Sequence, residues 1–137
     1  VNIGPALNLV LAQRLVRKVC HCASKRVLKE DEIKMIEKEL EGLPLSIRPK
    51  ISKETTVLQA SGCPDCNNTG YRGRIGIFEM FVIDDEAEAF IQKTSSISEV
   101  RQFAVKKGMT TIKQDGILRA LNHITTLEEV ERIMGQF

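Results

Sequence analysis

Residues 62–79 read GCPDCNNTGYRGRIGIFE and contain two cysteines, Cys63 and Cys66, separated by two residues. Two cysteines at this spacing can turn both sulfur atoms towards one metal ion. Pro64 lies between them and favours a turn, and the glycines that follow give the backbone additional freedom. The stretch therefore predicts one half of a metal site.

The chain has two other cysteines, Cys20 and Cys22, and 40 residues (23–62) separate this pair from the first cysteine of the second pair. Four cysteines in two close pairs are typical of a structural zinc site. The C-x-C pair is one residue tighter than the usual knuckle, and His21 between its sulfurs could replace one of them as a ligand. We predict zinc on Cys20, Cys22, Cys63 and Cys66.

Other roles for the cysteines have less support. A small disulfide scaffold would be richer in cysteine, and no signal peptide indicates a secreted chain. A redox-active C-x-x-C motif is expected near a βαβ pattern, and the sequence contains no such pattern.

Composition limits the size of the core. The 137 residues suffice for one domain or two small lobes. Hydrophobic residues make up 42% of the chain but aromatic residues only 4%, so the core must consist mostly of isoleucine, leucine and valine. Structural zinc can contribute on the order of 10 kcal/mol to folding, which would support such a modest core.

Charge and hydropathy argue against two classes of partner. The formal net charge is +2, whereas a nucleic-acid-binding domain usually has a stronger basic excess. No apolar run approaches the 18 residues of a membrane-spanning helix. The chain begins at Val1 without methionine, and its first residues resemble the interior of a domain, so we expect a piece of a longer protein.

Periodicity predicts the first elements. The four-residue spacing of Leu7, Leu11 and Leu15 indicates a helix over residues 2–19. A second, amphipathic helix is predicted over 29–43. The β-branched segment 55–60 and the apolar run 74–83 are predicted to be strands.

The remaining residues predict three or four short helices. Three residue pairs have the spacing of a capping box: Asp85 with Glu88, Ser96 with Glu99, and Thr126 with Glu129. Asp115-Gly116 is expected at a helix start or turn. The predicted fold class is mostly α with a few short β-strands, in which a small zinc-knuckle subdomain is attached to a C-terminal helical bundle.

The motifs of a self-contained enzyme are missing. The sequence has no G-x-x-x-x-G-K-[ST] phosphate loop and no G-x-G-x-x-G motif. Its two histidines, His21 and His123, lie far apart, and the adjacent Asp84 and Asp85 are expected to be helix caps. Zinc bound by four cysteines has no open position for catalysis. We therefore expect a module without its own active site.

Five segments together resemble a known family. They are LAQRLVRK (11–18) leading into Cys20, GCPDC (62–66), TGYRGRIGIFE (69–79), DG (115–116) and TTLEEV (125–130). In order and spacing they resemble the C-terminal part of the secretion ATPases of the type II secretion and type IV pilus assembly class. Those proteins have a RecA-like core and a tetracysteine zinc subdomain near the C-terminus.

The resemblance implies a role for the whole parent protein. It would be a cytoplasmic ATPase ring, commonly a hexamer, peripheral to the inner membrane and acting on an inner-membrane platform protein. ATP and magnesium would bind upstream of this chain, which would be inactive alone. Residues 1–19 would end the motor domain as a helical part, 20–73 would form the zinc subdomain, and 74–137 would form a strand and helical bundle.

The resemblance also has two departures and leaves two other functions open. The family's first cysteine pair is usually C-x-x-C. A glycine that usually precedes the family's final Thr-Thr is absent here, and we expect Asn122 to adopt the left-handed conformation in its place.

Arg72 and Arg74 beside the knuckle are candidates for a subunit or partner contact, or for local pairing. The alternatives are a zinc-ribbon nucleic-acid-binding module and an enzyme with catalytic zinc.

Overall fold

The fold combines two antiparallel strand pairs with five helices in a computed structural model that describes residues 4–135. Short 3-10 turns cover Gly4–Ala6 and Pro64–Cys66. In chain order the elements are β1 (Leu9–Val19), β2 (Ser24–Val27), α1 (Glu30–Leu40), β3 (Thr56–Gln59), β4 (Tyr71–Val82), α2 (Asp85–Lys93), α3 (Ile97–Lys106), α4 (Ile112–Leu121) and α5 (Leu127–Met134).

The longest feature is an antiparallel ribbon of β1 and β4. Leu9 lies opposite Val82 and Arg17 opposite Arg74, and the register shifts between Arg17 and Val19. The two strands have 11 and 12 residues, so the prediction that all strands are short is wrong for this pair. The register shift lies directly before Cys20, at the end of the ribbon that carries the cysteines.

The helix predicted over residues 2–19 is wrong where the structure describes that segment. Residues 9–19 form a strand, and only Gly4–Ala6 has helical geometry; residues 2 and 3 lie outside the described range. The leucine spacing allows either conformation, whereas pairing with β4 forms a long antiparallel ladder from Leu9 to Val19. The local spacing of leucines does not reveal that β4, much later in the chain, pairs with this segment.

One core joins the first helix to the last two. β2 pairs with β3, and the apolar face of α1 packs between this small ribbon and helices α4 and α5. The buried members are Leu28, Ile36, Leu40, Leu43, Val57, Ile117, Ala120, Leu127 and Val130. The predicted boundary between residues 73 and 74 lies inside β4, and the division into three parts stays a prediction.

Most of the other local predictions are confirmed. The helix predicted over 29–43 is α1, the strands predicted over 55–60 and 74–83 are β3 and β4, and four helices follow. Ser96 and Thr126 accept hydrogen bonds from the N–H groups of Glu99 and Glu129 and so cap α3 and α5.

Three positions require correction. Of the two aspartates expected to be caps, Asp84 caps α2, because its carboxylate accepts the N–H of Ala87 at 2.9 Å, whereas Asp85, predicted to form a capping box with Glu88, is the first residue of the helix. Asp115-Gly116 lies inside α4, where a Cβ on the glycine would approach Val130 Cγ1 to 2.8 Å. The left-handed residue before Thr125 is His123, at φ 60°, whereas Asn122 has φ −84°.

Among residues 4–135, no helix has both the length and the apolar character needed to cross a membrane.

Candidate metal centre

The second cysteine pair is organised by its own loop. A 3-10 turn over Pro64–Cys66 follows Cys63 and ends at Asn67, which is left-handed at φ 51°. The Cys66 sulfur accepts the backbone N–H of Cys63 at 3.3 Å and that of Gly70 at 3.2 Å. These N–H groups stabilise a thiolate at Cys66, which is the form that binds metals.

The first pair follows β1 directly. Cys20 N–H donates to the carbonyl of Gly70 at 2.9 Å, and Ala23 N–H donates back to the carbonyl of Cys20 at 3.0 Å, which closes a turn. This turn brings Cys20 and Cys22 against the second pair, and Cys20 and Cys66 are both buried.

The four sulfurs have the spacing of a tetrahedral zinc site. The Sγ–Sγ distances are 3.8 Å for Cys20–Cys63, 3.9 Å for Cys22–Cys66 and 3.7 Å for Cys63–Cys66. All four sulfurs lie within 4.8 Å of one another. A zinc ion with Zn–S bonds of about 2.3 Å would separate its sulfurs by about 3.8 Å. The donor set therefore fits zinc, and the tight C-x-C pair reaches the site.

No disulfide links the four cysteines, all of which are free. A disulfide would require a sulfur–sulfur distance near 2.05 Å, far shorter than the separations found here. The disulfide alternative is thus excluded for this structure.

Proton affinities differ between the thiols. Burial raises the pKa of Cys22 to about 12, with hydrogen bonds from its neighbouring cysteines adding to the effect. Burial opposes ionisation of Cys66 too, but the N–H groups of Cys63 and Gly70 outweigh it and lower the Cys66 pKa to about 6. The Cys66 thiolate is therefore the ligand that is most readily available to a metal at neutral pH.

His21 lies at the outer edge of the cysteine cluster. Its Nδ1 is 3.6 Å from Cys20 Sγ, while its Nε2 is 3.4 Å from a carboxylate oxygen of Asp65. Both side chains are more than 60% exposed, at 66% and 62%. His21, Asp65 and Cys63 are also close enough to share a metal, but the sulfur of Cys63 already belongs to the tetracysteine set.

Arg72 and Arg74 are exposed on β4 next to this site. Within residues 4–135, neither side chain forms a hydrogen bond or an ion pair. Arg74 lies directly opposite Arg17 in the ribbon, but Arg17 is paired with Glu129 and Arg74 has no such neutralisation. The alternative of local pairing for these two arginines is therefore not found within the part of the chain that the structure describes.

Glu129 is a residue whose role the sequence did not reveal. It was predicted only as part of a capping box, but its carboxylate instead accepts the Arg17 backbone N–H at 2.9 Å and the guanidinium groups of Arg17 and Arg132. Its side chain is completely buried. A buried carboxylate needs such partners. The sequence alone does not pair Glu129 with Arg17, because only the fold brings α5 next to β1.

Glu129 makes folding stability depend on pH. Burial opposes its ionisation, but the arginine contacts outweigh this and lower its pKa from 4.5 to about 2. The carboxylate therefore stabilises the fold above pH 4.5, by about 3 kcal/mol, and this contribution is lost as pH falls from 4.5 through 2. We expect the ¹³C shift of the Glu129 carboxyl to titrate well below pH 4.5 in the folded chain; a midpoint at or above 4.5 would contradict the buried ion pair.

A protein-family comparison matches almost the whole chain. The model of the family described as type II/IV secretion system protein matches residues 1–132.

Individual relatives are named as type IV pilus assembly ATPases or type II secretion system proteins. The chain is 39% identical over 133 residues to a type IV pilus assembly ATPase PilB of Thermus thermophilus, covering 94% of the chain and 14% of that protein. It is 35% identical over 128 residues to the PilB of Myxococcus xanthus, covering 93% and 21%. It is 37% identical over 131 residues to a type II secretion system protein E of Pectobacterium carotovorum, covering 96% and 24%. The chain thus spans at most about a quarter of the length of these relatives.

Proposed function

The chain belongs to the type II/IV secretion system protein family, and we propose that it is the C-terminal, non-catalytic region of a hexameric ATPase of that family. Its parent powers either type IV pilus assembly or type II protein secretion. The relatives support this reading, because they are named as pilus assembly ATPases and type II secretion proteins. ATP and magnesium bind to parts of the parent outside these 137 residues.

The observation that carries the proposal is the tetrahedral spacing of four cysteine sulfurs in a chain of this family. Cys20, Cys22, Cys63 and Cys66 hold a zinc ion whose role is structural, because four sulfur ligands leave no open position for water or substrate. The ion links the end of β1 to the loop before β4. His21 and Asp65 remain outside the coordination shell.

The zinc lobe, residues 20–73, couples the ring to its partners. Arg72 near the end of this lobe and Arg74 directly after it contact another subunit of the ring or the inner-membrane platform protein. The exposed position of both side chains and their lack of partners among the described residues support this role. Arginine is a common anchor at protein interfaces.

The parent works in the cytoplasm, at the inner membrane, and without nucleic acid.

The contact role of the arginines can be tested in the full-length ATPase. We expect the double variant Arg72→Ala/Arg74→Ala to keep its zinc and thermal stability, because neither side chain supports the fold. Association of subunits, or binding to the platform protein, should weaken by about tenfold or more, as for other interface arginines. Analytical ultracentrifugation and platform pull-down measure the two interactions, and secretion or piliation of cells measures the outcome.

A matched control is the double variant Lys34→Ala/Lys38→Ala, which removes two exposed cations from α1. It should leave association and secretion unchanged. Normal association and secretion by the arginine variant would refute the contact role. An equal defect in the lysine control would also refute it, because any loss of positive charge would then have the same effect.

A further inference from the structure

The two cysteine pairs are held in different ways. In the second pair, N–H groups of its own loop bind the Cys66 sulfur. Among the described residues, no backbone N–H donates to the sulfur of Cys20 or Cys22. A C-x-C turn is too short to form the usual knuckle, so the position of its sulfurs depends on the backbone that enters it.

Residues between 124 and 129, near the C-terminal end of the described chain, fix that backbone. The N–H of Arg17 donates to Glu129 at 2.9 Å, and the carbonyl of Arg17 accepts the Thr125 hydroxyl at 2.7 Å. The N–H of Val19 donates to the carbonyl of Ile124 at 2.9 Å. These bonds lie at the register shift between Arg17 and Val19, where pairing with β4 is interrupted and a strand needs other partners.

These contacts are buried as well as numerous. Glu129 and Thr125 are 1% and 0% exposed. The guanidinium of Arg17 lies between Glu129 and the ring of Tyr71, 4.2 Å from its centroid, and the Tyr71 hydroxyl is 2.8 Å from Thr126 Oγ1. Tyr71 follows Gly70, which binds both cysteine pairs through its backbone. The start of α5 is therefore connected to both halves of the metal centre.

We propose that Glu129 and Thr125 are positioning residues for the metal centre. They hold the backbone of residues 17–20 so that the short C-x-C turn presents both sulfurs to the ion. This inference rests on the proposed zinc site. Neither residue is a ligand. Loss of a partner that is hydrogen-bonded directly to a ligand typically lowers metal affinity by 10- to 100-fold, and because Thr125 and Glu129 act one step further out, through the backbone of Arg17, we expect an effect at the lower end of that range.

The test measures metal binding by the whole 137-residue chain. Zinc affinity is obtained by competition with a chromogenic chelator, and Co²⁺ absorption reports the geometry of a four-sulfur site. We expect Thr125→Val, which keeps the shape but removes the hydroxyl, and Glu129→Gln to weaken zinc binding by about tenfold and to alter the Co²⁺ d–d bands. Thr125→Ser keeps the hydroxyl and should restore both.

A matched control is Glu79→Gln in β4. Glu79 also accepts one backbone N–H, from Ile112 at 3.0 Å, and pairs with Arg101, but it lies away from the cysteines. It should lower stability without changing zinc affinity or the Co²⁺ spectrum. Unchanged affinity and spectrum in both Thr125→Val and Glu129→Gln would overturn the inference while leaving the zinc site intact. Failure of the unmodified chain to bind zinc or Co²⁺ would overturn the zinc proposal and this inference together.

Discussion

Replacement of Cys63 by serine is expected to abolish zinc binding and to unfold the segments around the site. Cys63 Sγ lies 3.8 Å from Cys20 Sγ and 3.7 Å from Cys66 Sγ, so its loss removes one of the four vertices of the tetrahedron. A serine hydroxyl is not ionised at neutral pH and is a poor replacement for a soft thiolate. The contribution of such an ion to folding is on the order of 10 kcal/mol, which exceeds what a small core can replace.

The loss should be local before it is global. Helices α4 and α5 share their core with α1 and contain no ligand, so they have support that the cysteine loops lack. In hydrogen exchange, we expect Cys63→Ser to lose protection mainly in residues 20–27 and 59–71. Elemental analysis should fall from about one zinc per chain to none. In the proposed full-length ATPase the same variant should lose pilus assembly or secretion, although no ATP ligand is proposed in this chain.

His21→Ala is the matched control for this experiment, because it changes a residue of the same cluster that is not among the four sulfurs. It should retain one zinc per chain and normal protection. Loss of zinc in His21→Ala would instead make the histidine a ligand, and a full zinc content in Cys63→Ser would refute the tetracysteine site.

The clustering of the four cysteines could be predicted because each pair is defined by a short local spacing. Two such spacings give four candidate ligands, and the fold had only to bring the C-x-C turn against the second pair. The terminal helices were predictable for a similar reason, since Ser96 and Thr126 cap the helices that follow them. The capping box predicted for Asp85 with Glu88 is one residue out of place, because the neighbouring Asp84 has the same side-chain chemistry and is the cap.

The parts that could not be predicted depend on distant partners. Residues 9–19 have a leucine spacing that suits a helix, but β4, more than 50 residues later in the chain, makes them a strand. Glu129 looked like the third residue of a capping box, yet its carboxylate turns to Arg17, 112 residues away in sequence. In both cases a long-range contact outweighs a local preference, and no single segment records it.

Gly70→Ala is expected to be the most damaging single-methyl addition near the metal centre. Gly70 has φ +79°, and a Cβ there would lie 2.2 Å from the carbonyl oxygen of Ser61 and 2.8 Å from Ala60 Cβ. The backbone must shift, which displaces the N–H that binds Cys66 and the carbonyl that accepts the Cys20 N–H. We expect a loss of about 2–5 kcal/mol in the free energy of unfolding at saturating zinc, the sum of the left-handed backbone cost and overpacking.

Gly73→Ala, three residues later in β4, separates these two causes. Gly73 has φ +78°, but its nearest neighbour to an added Cβ is Lys18 Cδ at 3.9 Å, so only the backbone cost of about 1–2 kcal/mol applies. Chemical denaturation of both variants with and without zinc measures the difference. Because zinc binds only the folded site, its stabilising effect should shrink in Gly70→Ala and persist in Gly73→Ala. Equal losses in the two variants would mean that the loop around Gly70 yields without disturbing the sulfurs, and the close contact with Ser61 would then have no part in holding the metal centre.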